Sequence, residues 1–206
     1  MSFFPLISWS AALRGSLIMG LGATCLTSRA GGVAPTEPTR PAASTVAAES
    51  GHIHDFDGFF GTWHTHHRKL KERLAGSNDW MEFDGAQVMQ PVLGGQGNMT
   101  DNVFNMPDGS IRRGVTLRAF DPKTQTWSIW WLDGNDPSKM DVPVVGGFEQ
   151  GTGAFYANDT FKGARIKVRF LWKNITPNTR QWEQAFSADG GKTWEINWTT
   201  WFTRVP

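Results

Sequence analysis

Strand-like runs alternate with turn signals along most of the chain. Runs rich in β-branched and aromatic residues occur at 59–67, 81–89, 115–120, 126–132, 144–148, 153–156, 165–172, 181–187 and 193–204. Turns that contain glycine separate many of them, for example at 133–134 and 189–191. Only residues 68–75 fit a short helix, and they also fit the end of a strand. About nine or ten short strands predict an all-β domain, either a sandwich or a barrel.

The first fifty residues do not follow this pattern. Arg14 precedes an apolar run at 15–26, and Ser28 and Ala30 place small residues where a leader would be cleaved. This order predicts a signal peptide over 1–30 and a periplasmic or secreted protein, while the run is too short to be a transmembrane segment. Residues 31–50 are rich in Ala, Pro, Thr and Ser, which predicts a disordered tether. The folded domain is then 51–206.

The single cysteine and the charge balance exclude several classes of protein. Cys25 is the only cysteine, so no disulfide can form within the chain. The three residues before Cys25 do not match the usual leucine-first lipoprotein box, and lipid anchoring is not expected. Removing Arg14 and Arg29 from the 20 basic residues leaves 18 against 19 acidic ones. A nearly neutral domain of this kind is not expected to bind nucleic acid. The sequence does not predict an oligomeric state.

Tryptophan is unusually frequent. The chain has 11 Trp and 14 Phe but only one Tyr. One interpretation is a bulky core, because buried indoles usually pack. The other is an aromatic-lined pocket for a flat or sugar-like ligand. A barrel interior can provide both.

The first and last predicted strands of the domain carry a pair of motifs. Gly61-Thr62-Trp63 opens the first strand, and Arg204 lies near the end of the last. The pair resembles the arrangement in lipocalin-like (calycin) barrels, where an Arg of the closing strand covers a Gly-x-Trp motif on the first strand. The resemblance implies that the Trp63 indole fills the barrel floor and that Arg204 stacks on it while binding backbone carbonyls. We therefore expect an antiparallel up-and-down β-barrel of about nine or ten strands, with at most one short helix.

A second motif lies between the last two predicted strands. Ser187, Asp189, Gly191, Thr193 and Trp194 match the fixed positions of the Asp box. In this motif the Ser and Asp side chains bind turn N–H groups, glycine provides a positive φ, and the indole anchors the hairpin. Sialidase propellers carry several such boxes, whereas this chain has one. We interpret it as a structural hairpin and not as a catalytic element.

Longer stretches carry a wider resemblance. Residues 55–68, 92–98, 117–122, 127–134 and 182–195 together resemble an uncharacterised bacterial family of calycin-like domains of unknown function, over about residues 54–204. The resemblance implies a barrel and no particular activity. It provides no catalytic residue.

All five histidines lie between residues 52 and 67. The two-residue period of a strand places His64 and His66 on one face and Trp63 and His67 on the other. If Trp63 points inward, His64 and His66 point outward. A His-x-His pair can bind zinc or copper, but the sequence places no further ligand, and an unliganded surface pair is the simpler interpretation.

His67 is the main candidate for chemistry. An inward histidine beside aromatic side chains can act as a base, a hydrogen-bond donor or a haem ligand, or can be a hydrogen-bonded core residue. Haem-binding calycins use a histidine from the later strands, and this chain has none after His67. Haem is therefore not expected, nor is any other cofactor.

The closing strands supply the other candidates. If Arg204 points inward, alternation places Phe202, Thr200, Trp198, Ile196 and Trp194 inward as well, and Asn197, Thr199 and Trp201 outward, unless a bulge resets the register. On the preceding strand the interior face is either Glu183 or the set of Trp182, Gln184 and Phe186. A carboxylate such as Asp133, which follows Trp131 at a strand end, could form an acid–base pair with His67 or Arg169.

Three functions remain open from the sequence. The leading hypothesis is an exported barrel that binds a small apolar or aromatic molecule, with these ligand-binding candidates: His67, Trp131, Arg169, Gln184, Trp198 and Phe202. The second is an isomerase, cyclase or hydrolase that uses His67 with Asp133 or Glu183. The third is an interaction protein with a filled core.

Overall fold

Ten antiparallel strands form a closed barrel. The structure is a computed structural model that describes residues 52–206. Its strands are β1 Gly61–Leu70, β2 Trp80–Val92, β3 Gly97–Asn105, β4 Ile111–Asp121, β5 Thr126–Asp133, β6 Val144–Glu149, β7 Thr152–Phe161, β8 Ala164–Lys173, β9 Thr179–Ser187 and β10 Glu195–Arg204. Each strand pairs with its neighbours in sequence, and β1 pairs with β10 to close the barrel. The predicted up-and-down barrel is confirmed.

Within residues 52–206, helix is confined to single turns. Three 3₁₀ turns of three residues each occur at His52–His54, Asp57–Phe59 and Leu93–Gly95. None of the helical segments in residues 52–206 approaches the length and hydropathy of a membrane span. The signal peptide predicted over 1–30 and the tether predicted over 31–50 lie outside the described residues, so both stay predictions.

Side chains along β1 point alternately into the barrel and to its outer surface. Trp63, Thr65 and His67 are buried, whereas His64 and His66 are exposed. Successive strand side chains point to opposite faces, so one strand contributes both an interior and an outer surface. The segment 68–75 continues β1 to Leu70 and then bends without forming a helix.

The sequence pattern predicts no strand between 81–89 and 115–120, and so misses β3. Its inward residues include Asn98 and Thr100, which are completely buried and polar. A strand whose interior face is polar lacks the alternation of apolar residues by which strands are recognised. β3 pairs with β2 and β4 along its whole length.

A bulge in β10 corrects the predicted orientation of the closing strand. The pairing of β10 with β9 shifts by one residue between Ile196 and Trp198. Because one extra residue reverses the alternation, Ile196 is 40% exposed and Asn197 is fully buried, the opposite of the expectation. Beyond the bulge, Trp198, Thr200 and Phe202 point inward as expected, Thr199 points outward although it is buried, and Trp201 is exposed on the outside.

The N-terminal turns close one end of the barrel. Phe56 is fully buried and packs edge-on against Trp127 and Phe148, with ring centroids 5.0 Å apart in both pairs. The Trp127 indole donates a hydrogen bond to the His52 carbonyl oxygen at 2.8 Å. These contacts bind the 3₁₀ turns to the barrel and make them a plug.

Trp63 lies beside this plug and contacts two guanidinium groups. It is fully buried, faces Arg204 in the β1–β10 register, and has the Arg204 Cζ atom 4.2 Å from its ring centroid. Arg204 donates to the carbonyl oxygens of Gly58, Phe60 and Pro177, at 2.6, 2.8 and 2.7 Å. The second guanidinium belongs to Arg180, whose Cζ lies 3.7 Å from the same ring.

The hairpin between β9 and β10 contains the Asp box. Asp189 accepts hydrogen bonds from the backbone N–H groups of Lys192 and Thr193, at 3.0 and 2.9 Å, and from the Thr193 hydroxyl at 2.6 Å. These bonds, with one from Ser187, hold the pKa of the Asp189 carboxyl well below its usual range. Gly191 has a φ of 98° and accepts a hydrogen bond from the Trp194 indole.

Candidate ligand-binding cavity

A cavity of about 300 Å³ lies inside the barrel. Its volume is at the lower end of the range for sites that hold small molecules. The mouth lies at the end formed by the loop after β5 and the segment after β1, and the plug closes the other end. Five of the six predicted ligand-binding residues line it: His67, Trp131, Gln184, Trp198 and Phe202.

Seven of the 21 residues that line the cavity are Phe or Trp. Trp182 packs edge-on against Phe170, with ring centroids 4.9 Å apart, and against Trp198 at 5.6 Å. Phe104 lies 6.1 Å from Trp131 and 6.0 Å from Trp198 in tilted arrangements. The edge-to-face contacts of Trp182 hold these rings in place.

His67 is held in one tautomer by three side chains. The Trp198 indole, which can only donate, bonds His67 Nδ1 at 3.3 Å, so Nδ1 is the acceptor. The Thr200 hydroxyl also bonds Nδ1, at 2.9 Å, and Nε2–H then donates to Thr65 Oγ1 at 2.9 Å. The ring stacks on Phe83 with centroids 4.7 Å apart. Both ring nitrogens are therefore occupied.

The surroundings of His67 keep it neutral. Burial lowers its pKa to about 3, and the charges of His66 and Lys69 act in the same direction. Protonation at Nδ1 would also set an N–H against the indole N–H of Trp198. A histidine with so low a pKa and both nitrogens bonded is a poor general base at neutral pH.

Gly85 permits the close approach of the strands next to His67. It faces Thr65 in the β1–β2 register, and a Cβ atom there would collide with the Val103 carbonyl oxygen and lie 2.8 Å from Thr65 Oγ1. We expect Gly85→Ala to lower the free energy of unfolding by about 1–3 kcal/mol, because β2 and β3 must separate. Urea denaturation measures this change.

Gly147 provides the matched control for this substitution. It also lies in a strand, β6, and a Cβ atom there would meet no atom within 4 Å. We expect Gly147→Ala to leave stability unchanged or to raise it slightly. Equal losses in the two variants would contradict the account of the close approach at Gly85.

Arg118 lies at the cavity floor, on β4. It is 4% exposed, and its Cζ atom lies 5.2 Å from the Phe56 ring of the plug and 5.8 Å from the Trp172 ring. Its Nη1 donates to Asn98 Oδ1 at 3.1 Å and to Thr100 Oγ1 at 2.8 Å. Burial alone lowers its pKa to about 9.

Charged side chains surround the mouth. Lys69 Nζ lies 3.8 Å from the centre of the Trp198 ring, and burial, followed by the charge of Arg73, lowers its pKa to about 8. The cationic groups there are balanced by acidic ones, since Asp133, Asp136 and Asp141 also line the cavity. The mouth is therefore of mixed charge, whereas the charged group at the floor is a cation.

Arg169 does not line the cavity, contrary to the prediction. On β8, Val168 and Trp172 are buried in the interior, so alternation directs Arg169 outward. Its guanidinium lies 4.6 Å from the centre of the Trp194 ring, which also contacts Tyr156. Trp194 is thus part of an outer contact and not of the inward set in which it was expected.

The two carboxylate candidates do not face His67 as an acid–base pair. Glu183 is buried outside the cavity, where its Oε1 lies 2.7 Å from Lys173 Nζ and accepts a hydrogen bond from Gln181. The interior face of β9 is the alternative set of Trp182, Gln184 and Phe186. Asp133 lines the mouth but is exposed, and it accepts two hydrogen bonds from Asn135.

The His-x-His pair lies on the outer surface. His66 Nδ1 is 2.8 Å from Asp84 Oδ1, and its ring lies 5.8 Å from that of Trp201. Within residues 52–206, no three His, Cys, Asp or Glu side chains converge as a metal site would require. Metal binding by His64 and His66 gains no support from this arrangement.

Two arginines of the interior were not identified from the sequence. Arg118 follows Thr116 on the interior face of β4, so the register of that strand could have indicated it. Arg180 begins the interior face of β9 and carries no motif. Both are rare cases of buried arginine, which composition alone does not reveal.

Comparisons with known proteins support the barrel. No known protein family and no curated protein sequence matches the chain. Its fold is similar to that of an S-type phycobiliprotein lyase from Guillardia theta, with a TM-score of 0.53 and 11% identity over 77% of this chain and 94% of that one. A de novo designed fluorescence-activating β-barrel matches with a TM-score of 0.40 and 15% identity, over 72% of this chain and 95% of the design. At these identities the likeness extends to the fold alone.

Proposed function

We propose that the protein is an exported, calycin-like barrel that binds a small aromatic or apolar molecule in its cavity. The observation that carries this proposal is the cavity itself, of about 300 Å³ and walled by Phe104, Trp131, Phe170, Trp182 and Trp198. Rigid aromatic faces bind flat apolar molecules with little loss of side-chain entropy. The apolar run and tether at the N-terminus support the export part of the proposal.

The rival functions explain the interior less well. An acid–base enzyme that used His67 would need this ring to titrate near neutral pH, whereas His67 has a pKa of about 3 with both nitrogens bonded. A filled-core interaction protein would have no use for an open cavity, since protein interiors are otherwise close-packed. Binding without chemistry therefore fits the site best.

A cavity-filling variant tests the proposal. The probe is N-phenyl-1-naphthylamine, a neutral aromatic molecule whose emission rises in apolar surroundings. Thr116 lines the cavity and is 9% exposed, so Thr116→Phe places a ring in the space that the probe needs. We expect the wild type to show saturable binding and Thr116→Phe to weaken it by at least about tenfold.

Thr203→Phe is the matched control, because Thr203 is exposed on the outside of β10. The same substitution there should leave the dissociation constant within about threefold of the wild type. Loss of the Thr116 hydroxyl costs little in structure, since the Asn102 amide that reaches it also bonds two carbonyl oxygens. Absence of saturable binding in the wild type, or equal binding by both variants, would overturn the proposal.

A further inference from the structure

The floor of the cavity holds a buried cation that has no acidic partner. Arg118 is 4% exposed, and no ion pair within residues 52–206 includes it. Neutral groups, Asn98 and Thr100, satisfy only Nη1. Nε has no hydrogen-bond partner, and no hydrogen bond within the described part of the chain uses Nη2. One edge of the guanidinium is thus left without an acceptor.

A second buried arginine increases the positive charge at the same depth. Arg180 is 2% exposed, and its three side-chain nitrogens have no hydrogen-bond partner. The charge of Arg118 contributes to lowering the pKa of Arg180, which burial lowers most. Arg180 is explained structurally by its stacking on Trp63 and Phe59, with Cζ 3.7 and 4.4 Å from the ring centres. Arg118 has no such close ring contact.

Burying an uncompensated charge is unfavourable, and proteins usually pair such a group. Nε is enclosed by surrounding atoms, so Nη2 is the nitrogen that can donate a charge-assisted hydrogen bond to a carboxylate or a similar oxyanion in the cavity. Arg118 lines the cavity, while the acidic residues that line it lie at the mouth. Nothing acidic within the described lining therefore competes with a ligand at the floor.

We infer that the ligand of this cavity is an organic anion, with an aromatic body against the tryptophans of the wall and one carboxylate or sulfonate group on Arg118. This inference rests on the proposed binding function and adds the charge and orientation of the ligand. The anionic group enters first and reaches the floor, and the aromatic part then lies against Trp182 and Trp198 on the cavity wall. The mouth carries both positive and negative side chains, so it does not require the ligand to be an anion.

Two probes that differ only in the anionic group test the inference. The first is 8-anilinonaphthalene-1-sulfonate, and the second is N-phenyl-1-naphthylamine, which has the same ring system without the sulfonate. We expect the wild type to bind the sulfonate probe at least about tenfold more tightly than the neutral one. Arg118→Met should remove this preference while leaving the affinity for the neutral probe within about threefold.

Two further variants identify the source of the preference. Arg113 lies on the same strand but is exposed and 3.7 Å from Asp101, so Arg113→Met makes the same charge change outside the cavity. Lys69→Met removes a cation at the mouth. Both should retain the preference for the sulfonate probe. Loss of the preference in Lys69→Met but not in Arg118→Met would overturn the inference.

Stability separates an anion site from a structural role of Arg118. Replacing an unpaired buried cation by an apolar side chain of similar length is often neutral or stabilising. We therefore expect Arg118→Met to unfold at the same or a higher urea concentration than the wild type without ligand. Weaker binding of both probes together with early unfolding would show that Arg118 only supports the fold.

The two probes can be compared on the wild-type protein even if Arg118→Met does not fold. Equal affinity for the two probes would overturn the inference and leave the proposed binding function intact. Failure of both probes to bind would overturn the binding function itself.

Discussion

Trp63→Ala is expected to lower the free energy of unfolding by about 4 kcal/mol, in the range measured for the removal of a buried tryptophan. The side chain is fully buried, and its indole donates to the Phe59 carbonyl oxygen at 2.9 Å. Its removal leaves a hole between the plug and the barrel and withdraws the ring from Arg180 and Arg204. Arg180 would then lose its closest ring contact without gaining a hydrogen-bond acceptor.

Urea denaturation followed by circular dichroism measures this loss. Trp201→Ala is the control, because Trp201 is 40% exposed on the outside of β10. An exposed aromatic residue of this kind contributes about 1 kcal/mol or less. If Trp201→Ala destabilised the protein as much as Trp63→Ala, the central role assigned to Trp63 in closing the barrel would be wrong.

The second large effect is a loss of stability in acid that depends on His67. Folding lowers the pKa of this ring from 6.5 to about 3. Between these two values the unfolded chain takes up a proton that the folded protein does not, so unfolding becomes easier as the pH falls. Between pH 7 and pH 4 this difference amounts to about 3 kcal/mol. Above pH 7 the same group has almost no effect.

Replacement of His67 by a neutral side chain should remove this part of the acid sensitivity. We expect the stability of His67→Gln to fall by about 3 kcal/mol less than that of the wild type between pH 7 and pH 4, in urea denaturation at each pH. His64→Gln, at an exposed position of the same strand, should keep the full wild-type loss. An identical pH dependence in His67→Gln and the wild type would refute the burial-based account of His67.

Much of the fold follows from local patterns in the sequence. The strands β5 and β8 were located from their apolar alternation, because each directs a row of large side chains into the core. The opening motif at Trp63 and the closing Arg204 indicated how the ends of the sheet meet. Short-range alternation and turn residues are thus sufficient for a meander in which neighbours in sequence are neighbours in space.

The candidate site was harder to predict, because it depends on exceptions to those patterns. β3 was missed since its interior residues Asn98 and Thr100 are polar, and they are polar because they bind Arg118. The bulge at Ile196 reversed part of β10, and no residue type marks a bulge reliably. The environment of His67 depends on Trp198, which is 131 positions away in the chain. Such contacts arise only when the barrel closes.

The buried arginine and the aromatic residues of the cavity act together in the proposed function. A polar strand supports Arg118 through Nη1, and Nη2 is left for a ligand. His67 is fixed as a neutral wall residue by Thr65, Thr200 and Trp198, so that the floor carries the charge that selects the ligand. Burying Arg118 without a partner lowers the free energy of unfolding, and binding of an anion raises it again, as expected for a functional site.

A crystal structure of the protein with 8-anilinonaphthalene-1-sulfonate tests this account most directly. We expect one probe molecule inside the barrel, with its rings against Trp182 and Trp198 and a sulfonate oxygen about 3 Å from Nη2 of Arg118. A probe bound only on the outer surface, or one inside the barrel with its sulfonate turned to Lys69 at the mouth, would contradict it.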